Sequence, residues 1–311
     1  MSGELPAAVD RSSGWACRVL DRLYQRQLVH FNQLVLTVLL LAAVTLALCP
    51  FTIHDGPREG VASLLFWLPD GVVRSSTVWL AVRGLLLLGA ALWMTGRAVP
   101  WSCWLTAGAF TILWSLHVET TYQTAHIFHV PNTLLIFQAL WHTADAPRIR
   151  HLRASGRYWD EPLVPRWLTL ASIAYLGIFH TAAGLSKLYA SGWDWPNGVS
   201  LQLWVYLWGY PASPTTKLLL ASRTAARVAQ WLTLLVETAG VLAVVPALRA
   251  WIGAGLVLFY LGILTTFPYG FQFNAVLTAL YLLPCERWLM SAIMQRRQQA
   301  AAMTPPGEPR A

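Results

Sequence analysis

The stretch FNQLVLTVLLLAAVTLALCPF, residues 31–51, carries no charged side chain over a length that crosses a bilayer's hydrocarbon core. Such a run needs a solvent other than water. Seven further stretches have the apolar length of a membrane span, at about 78–96, 101–118, 130–146, 167–189, 228–247, 250–268 and 270–290. The expected fold is therefore all-α, a polytopic integral membrane bundle of eight transmembrane helices. Val199–Tyr210 is apolar and Trp-rich but short, and Pro211 and Pro214 follow it. It reads as an interfacial or re-entrant helix, or as a ninth short span.

Composition points the same way. Hydrophobic residues make up 56% of the chain and charged ones 12%, about half the charged fraction of a soluble domain. The 17 tryptophans fit a membrane protein, where indole favours the headgroup level.

The net charge of +8 would suggest nucleic acid in a soluble protein. Here the basic residues sit in short loops beside apolar runs, so no nucleic-acid partner is expected and the lipid bilayer is. With the N-terminus in the cytoplasm, fifteen basic residues between Arg11 and Arg310 fall inside and six fall outside: Arg58, Arg74, Lys187, Lys217, Arg223 and Arg227. Both termini are thus expected in the cytoplasm of a multi-pass cell-membrane protein. A basic segment, 1–30, precedes the membrane domain, 31–290, and residues 11–28 read as a positive-inside anchor or as an amphipathic cytoplasmic helix. A tail, 291–311, follows, rich in Gln, Ala and Pro after Arg296 and expected to be disordered. No cleavable leader is expected, because the first apolar run starts only near Phe31. The four cysteines form no C-x-x-C pair.

Ionisable groups within a membrane are costly unless paired or hydrated, so each is a candidate for function. One group runs from His117 through Glu119, Gln123, His126 and His129 to Asn132. Glu119, Gln123 and His126 would share a helix face, and His126 and His129 could converge. The set offers a polar pocket lining; its spacing is no recognised zinc signature, and no metal is assigned. The second group is His180, Gly184 and Lys187, at i, i+4 and i+7 on one stripe, followed by Gly192, Trp193, Asp194 and Trp195. Gly184 admits close approach of a helix or ligand. Lys187 is one of two lysines; an apolar pocket would disfavour its ammonium and leave a usable base, whereas an interfacial lysine would simply snorkel. Glu237 near the middle of the sixth span and Arg83 in the second read as structural ion-pair or hydrogen-bond partners, or as pocket lining. There is no phosphate loop, dinucleotide fingerprint or nucleophile elbow.

The run A-G-L-S-K-L (Ala183–Leu188) followed by D-W-x-x-G (Asp194, Trp195, Gly198) resembles the hallmark of the vitamin K-dependent γ-carboxylase-like domain, also called the horizontally transferred transmembrane (HTTM) domain. The outer histidines before Pro131-Asn132, Glu237, and Phe271–Pro284 agree more weakly, and the resemblance covers about 75–290. It implies that Lys187 matches the lysine that deprotonates reduced vitamin K, with the site facing outward. Oxygen then turns the quinol into a strong base that removes a γ-proton from a glutamate side chain, and carbon dioxide adds. Reduced vitamin K or menaquinone is the implied cofactor.

Three features depart from the pattern. Ser186 stands where animal carboxylases have a first lysine, and Tyr260 follows Phe259 where relatives often have histidine. No large extracytoplasmic substrate domain is expected after the last span. The reading is therefore a membrane enzyme, quinol-linked, acting on a secreted peptide or lipid-soluble substrate. Lys187 would be its base, and His126 and His129 would orient groups or shuttle protons. His117, Glu119, His180, Gly184, Trp193, Asp194, Trp195 and Glu237 would line its pocket. The alternatives are a non-enzymatic maturation, immunity or scaffold protein for a secreted peptide, and a small-molecule transporter.

Overall fold

A computed structural model describes residues 25–50, 64–65, 67–120, 127–268 and 270–303. Most of the basic stretch 11–28 lies outside them, as does His126. The described chain is nearly all-α. A two-residue strand, β1 (Arg26–Gln27), is followed by α1 (His30–Leu48), α2 (Asp70–Val73), α3 (Ser76–Met94), α4 (Trp101–Thr120), α5 (His129–Ala144) and α6 (Ala146–Ala154). Strand β2 (Val164–Pro165) pairs antiparallel with β1 and leads into α7 (Arg166–Ser191) and a 3-10 turn (Gly192–Asp194). Helices α8 (Val199–Trp208), α9 (Pro214–Ala221) and α10 (Arg223–Thr238) come next. A second 3-10 turn (Gly240–Val244), α11 (Pro246–Thr266), α12 (Gln272–Leu282) and α13 (Cys285–Met303) complete the order.

Among the described residues, four helical segments are long and apolar enough to cross a membrane: His30–Leu48, Ser76–Met94, Arg166–Asp194 and Pro246–Thr266. Gln272–Leu282 and Cys285–Arg296, bent by 67°, make a fifth if taken as one broken span. Eight spans were expected. The remaining three stretches are helical as α4, α5 and α10: α5 and α10 have 16 residues each, short of a full crossing, and α4 ends in His117 and Glu119. Polar side chains of α1, α4 and α5 face other helices. Thr111 on α4 donates to Asn132 on α5 at 2.7 Å. Asn32 on α1 and Gln138 on α5 exchange two amide hydrogen bonds, at 3.1 and 2.7 Å. A carboxamide buried without such a partner would cost about 1–3 kcal/mol.

The last expected span, 270–290, breaks at Leu283-Pro284. Proline has no N–H to continue the ladder and forces the preceding residue to extended backbone, seen at Leu283 with ψ 161°. Of the tail expected to be disordered after Arg296, residues 304–311 lie outside the described residues. Helix α13 runs to Met303, because Gln, Ala and Met are all strong helix formers. Helix α8 has 10 residues, about 15 Å, too short to span.

Arg26 ties the start of the described chain to the end of α5. It forms a fork on Asp145, at 2.9 and 2.8 Å, and donates to the Leu163 carbonyl at 2.7 Å. Trp104 at the start of α4 donates to Thr143 at the end of α5 at 2.8 Å. At the opposite end Arg83 on α3 donates to the Cys49 carbonyl. These contacts put residues 26, 104, 143 and 163 at one end of the bundle and Cys49 and Arg83 toward the other.

Candidate functional site

Helix α7 is the scaffold of the site. Gly177, His180, Gly184 and Lys187 fall along one side of it, and α10 with its following 3-10 turn packs there. A Cβ on Gly184 would lie 2.7 Å from the Thr238 nitrogen, and one on Gly177 would lie 2.8 Å from the Gly240 oxygen. The two glycines therefore set the depth of the crossing. Thr181 stitches the break at the end of α10. It donates to the Thr238 carbonyl at 3.2 Å and accepts from the Val241 N–H at 2.8 Å.

That close crossing delivers Glu237. Lys187 Nζ lies 2.6 Å from Glu237 Oε2 and also donates to the Ala183 carbonyl at 3.2 Å. The pair is lopsided: the Glu237 side chain is 4% exposed and that of Lys187 26%. The open side of the ammonium faces the Trp195 ring, 5.7 Å from its centroid. Inward from the pair, the buried ring of His180 lies with Nε2 3.3 Å from the hydroxyl of buried Tyr260 on α11.

The segment after α7 is held by Gln230 on α10, a buried residue that charge and hydropathy do not mark. Its Oε1 accepts from Gly198 N–H at 2.7 Å, and its Nε2 donates to the Trp195 carbonyl at 2.9 Å and to Ser200 Oγ at 2.8 Å. Gly198 has φ +85°, and a Cβ there would meet the Arg223 carbonyl at 2.7 Å. The glycine of D-W-x-x-G is thus required by both backbone and packing. Trp193 and Asp194 are exposed, and Trp193 stacks on Trp231 with ring centroids 6.1 Å apart.

Among the described candidates, His129, His117 and Glu119 are not brought to Lys187. His129 shares its Nδ1 with the Tyr175 hydroxyl at 2.5 Å and stacks on Phe179 at 5.1 Å. Phe179 precedes Lys187 by eight residues, about 12 Å along the helix. The expected equality of depth fails because α5, with 16 residues, begins well below the end of α7, with 26. His117 is buried against Trp79 on α3, ring centroids 4.8 Å apart, and Glu119 is buried in the last turn of α4. Among the described residues no three His, Cys, Asp or Glu side chains are grouped to hold a metal ion.

No family model, curated protein or solved structure matches this chain.

Proposed function

We propose that this protein is a polytopic membrane enzyme of the HTTM, γ-carboxylase-like class, with the Lys187–Glu237 pair as its proton-handling centre. The observation that carries the reading is the 2.6 Å contact between Lys187 Nζ and Glu237 Oε2, near the C-terminal end of α7. In this reading all eight predicted stretches lie within the membrane, both termini are cytoplasmic, and the pair faces the outer side.

An ion pair in a low-dielectric site pays desolvation on both charges. Moving one proton from the ammonium to the carboxylate removes both charges together and leaves Lys187 with a lone pair. Glu237 then acts as the proton store that makes the amine a base, and Lys187 takes a proton from an acidic hydroxyl presented beside Trp195. The residues suit a quinol: an amine, a buried carboxylate and a flanking indole face. Reduced vitamin K or menaquinone, when bound, would supply with oxygen the strong base that removes a substrate γ-proton.

The scaffold alternative draws on a different observation, the exposed aromatic row Trp204, Tyr206, Trp208 and Tyr210 around α8. One experiment separates the two. The detergent-purified protein is analysed for co-purifying quinones by mass spectrometry and assayed for consumption of reduced menaquinone. Bound menaquinone and turnover that depends on Lys187 support the enzyme; neither being present supports the scaffold.

A further inference from the structure

Away from the Lys187 site, α1 and the end of α3 frame a groove of about 240 Å³. From α1 it takes Gln33, Leu36, Thr37, Leu40, Leu41 and Val44. These positions follow i, i+3, i+4, i+7, i+8 and i+11, one face of a helix. Trp93 and Met94 form the opposite wall, and Arg153 of α6 closes one end. From Gln33 to Val44 the groove runs about 16 Å, roughly half of a 30 Å hydrocarbon core. Leu36 and Leu40 form a buried floor, while Leu41 and Met94 form an open rim.

The mouth is polar and basic. Gln33 Nε2 donates to the Tyr158 hydroxyl at 2.8 Å, and the Arg153 guanidinium lies over the Tyr158 ring at 4.9 Å. Among the described residues no carboxylate pairs with Arg153. Helix α6 also carries Arg148 and Arg150 and has no acidic residue of its own. Apolar length and unmatched charge therefore coincide: a slot one leaflet deep with a guanidinium at its polar end.

We infer that this groove binds one acyl chain of an anionic phospholipid from the leaflet on the Arg153 side, with the lipid phosphate on Arg153. A guanidinium fork suits a phosphate, and each basic residue near a membrane surface favours an anionic lipid by about 1 kcal/mol, or about fivefold.

The test uses the full chain in detergent with an equimolar mixture of dioleoyl phosphatidylglycerol and dioleoyl phosphatidylcholine, and native mass spectrometry counts bound lipid. The native protein should retain one phosphatidylglycerol with at least about a fivefold preference. Arg153→Gln should lose that preference and Arg153→Lys should keep it. Leu41→Trp, at a rim position that tolerates bulk, should lose the retained lipid altogether. Equal retention of the two lipids by the native protein overturns the inference. So does an unchanged preference in Leu41→Trp, which would leave surface attraction alone. Displacement of phosphatidylglycerol by inorganic phosphate would make this a free-phosphate site and equally overturn it.

Discussion

Lys187 Nζ and Glu237 Oε2, 50 residues apart in the chain, meet at 2.6 Å, with the glutamate as the buried end of the pair. Unequal burial predicts unequal costs. Lys187→Met leaves a carboxylate with no route to water; Glu237→Gln leaves a lysine that swings outward along its stem. We expect Lys187→Met to destabilise by about 2–4 kcal/mol and Glu237→Gln by about 1–2 kcal/mol. Thermal unfolding of the detergent-solubilised variants reads the difference. Equal losses, or the reverse order, would refute the assignment of Glu237 as the buried partner.

The glycines of α7 give a second, independent handle. Gly184→Ala places a methyl group 2.7 Å from the Thr238 nitrogen, so α10 must retreat and the Lys187–Glu237 contact must lengthen. The expected loss is about 1–3 kcal/mol. Gly108 on α4 and Gly84 on α3 have nothing within 4 Å of an added Cβ. There the substitution should be neutral or slightly stabilising, since alanine is the better helix former. Comparable destabilisation at Gly184 and Gly108 would show that the effect is not packing.

What the sequence disclosed follows from what is local. The run 31–51 and the stripe of His180, Gly184 and Lys187 are visible because hydropathy and helical spacing need no partner. The partner of Lys187 was not visible. Glu237 stood out as a costly intramembrane charge, but nothing in a single chain says that Gly184 brings α10 close enough for it to reach α7. Gln230 was missed because an uncharged amide carries no signal until the loop it clamps is in place. Helix α10 begins at Arg223, ahead of the apolar stretch 228–247. Arg223 and Arg227 interrupt the apolar pattern, whereas the N-cap Ser222, whose Oγ accepts from the Ala225 N–H at 3.2 Å, marks the true beginning. The depth of His129 was misjudged because span length, and hence where α5 begins, is set by the residues that pack around it.

Gln230 should act through the loop rather than through the ion pair. Gln230→Ala removes an acceptor from Gly198 and a donor from the Trp195 carbonyl, at a cost of about 1–3 kcal/mol. The sharper signature is local. Amide hydrogen exchange at Gly198 should speed up well beyond the global change, while α7 keeps its protection. Unchanged exchange at Gly198 would mean that the three hydrogen bonds do not hold the loop.

Sidedness can be tested separately from chemistry. The fifteen-to-six distribution of basic residues predicts that a reporter fused after Arg297 reports the cytoplasm and one inserted near Gly56 reports the outside. The pairing of β1 with β2 and the fork of Arg26 on Asp145 require residues 26, 145 and 163 to share one side. An outward signal from the C-terminal fusion would overturn the proposed even count of crossings and make the last, bent helix pair a re-entrant element.

The decisive substitution is Lys187→Arg, because it separates the pair's two roles. An arginine keeps the positive charge and a long stem, so it can still meet Glu237 and spare the buried carboxylate. Stability should therefore stay within about 1 kcal/mol of the native protein, unlike Lys187→Met. A guanidinium cannot give up its proton at any accessible pH, so the neutral form of the pair no longer exists. If Lys187 is a base, consumption of reduced menaquinone should fall by at least about a hundredfold, the usual worth of a positioned general base. Glu237→Gln should fall with it, because the proton store is gone while the amine remains. A strut behaves differently: the arginine restores the contact, and activity returns with stability. A stable Lys187→Arg protein with native turnover would remove Lys187 from the chemistry and leave the pair as a clasp between α7 and α10.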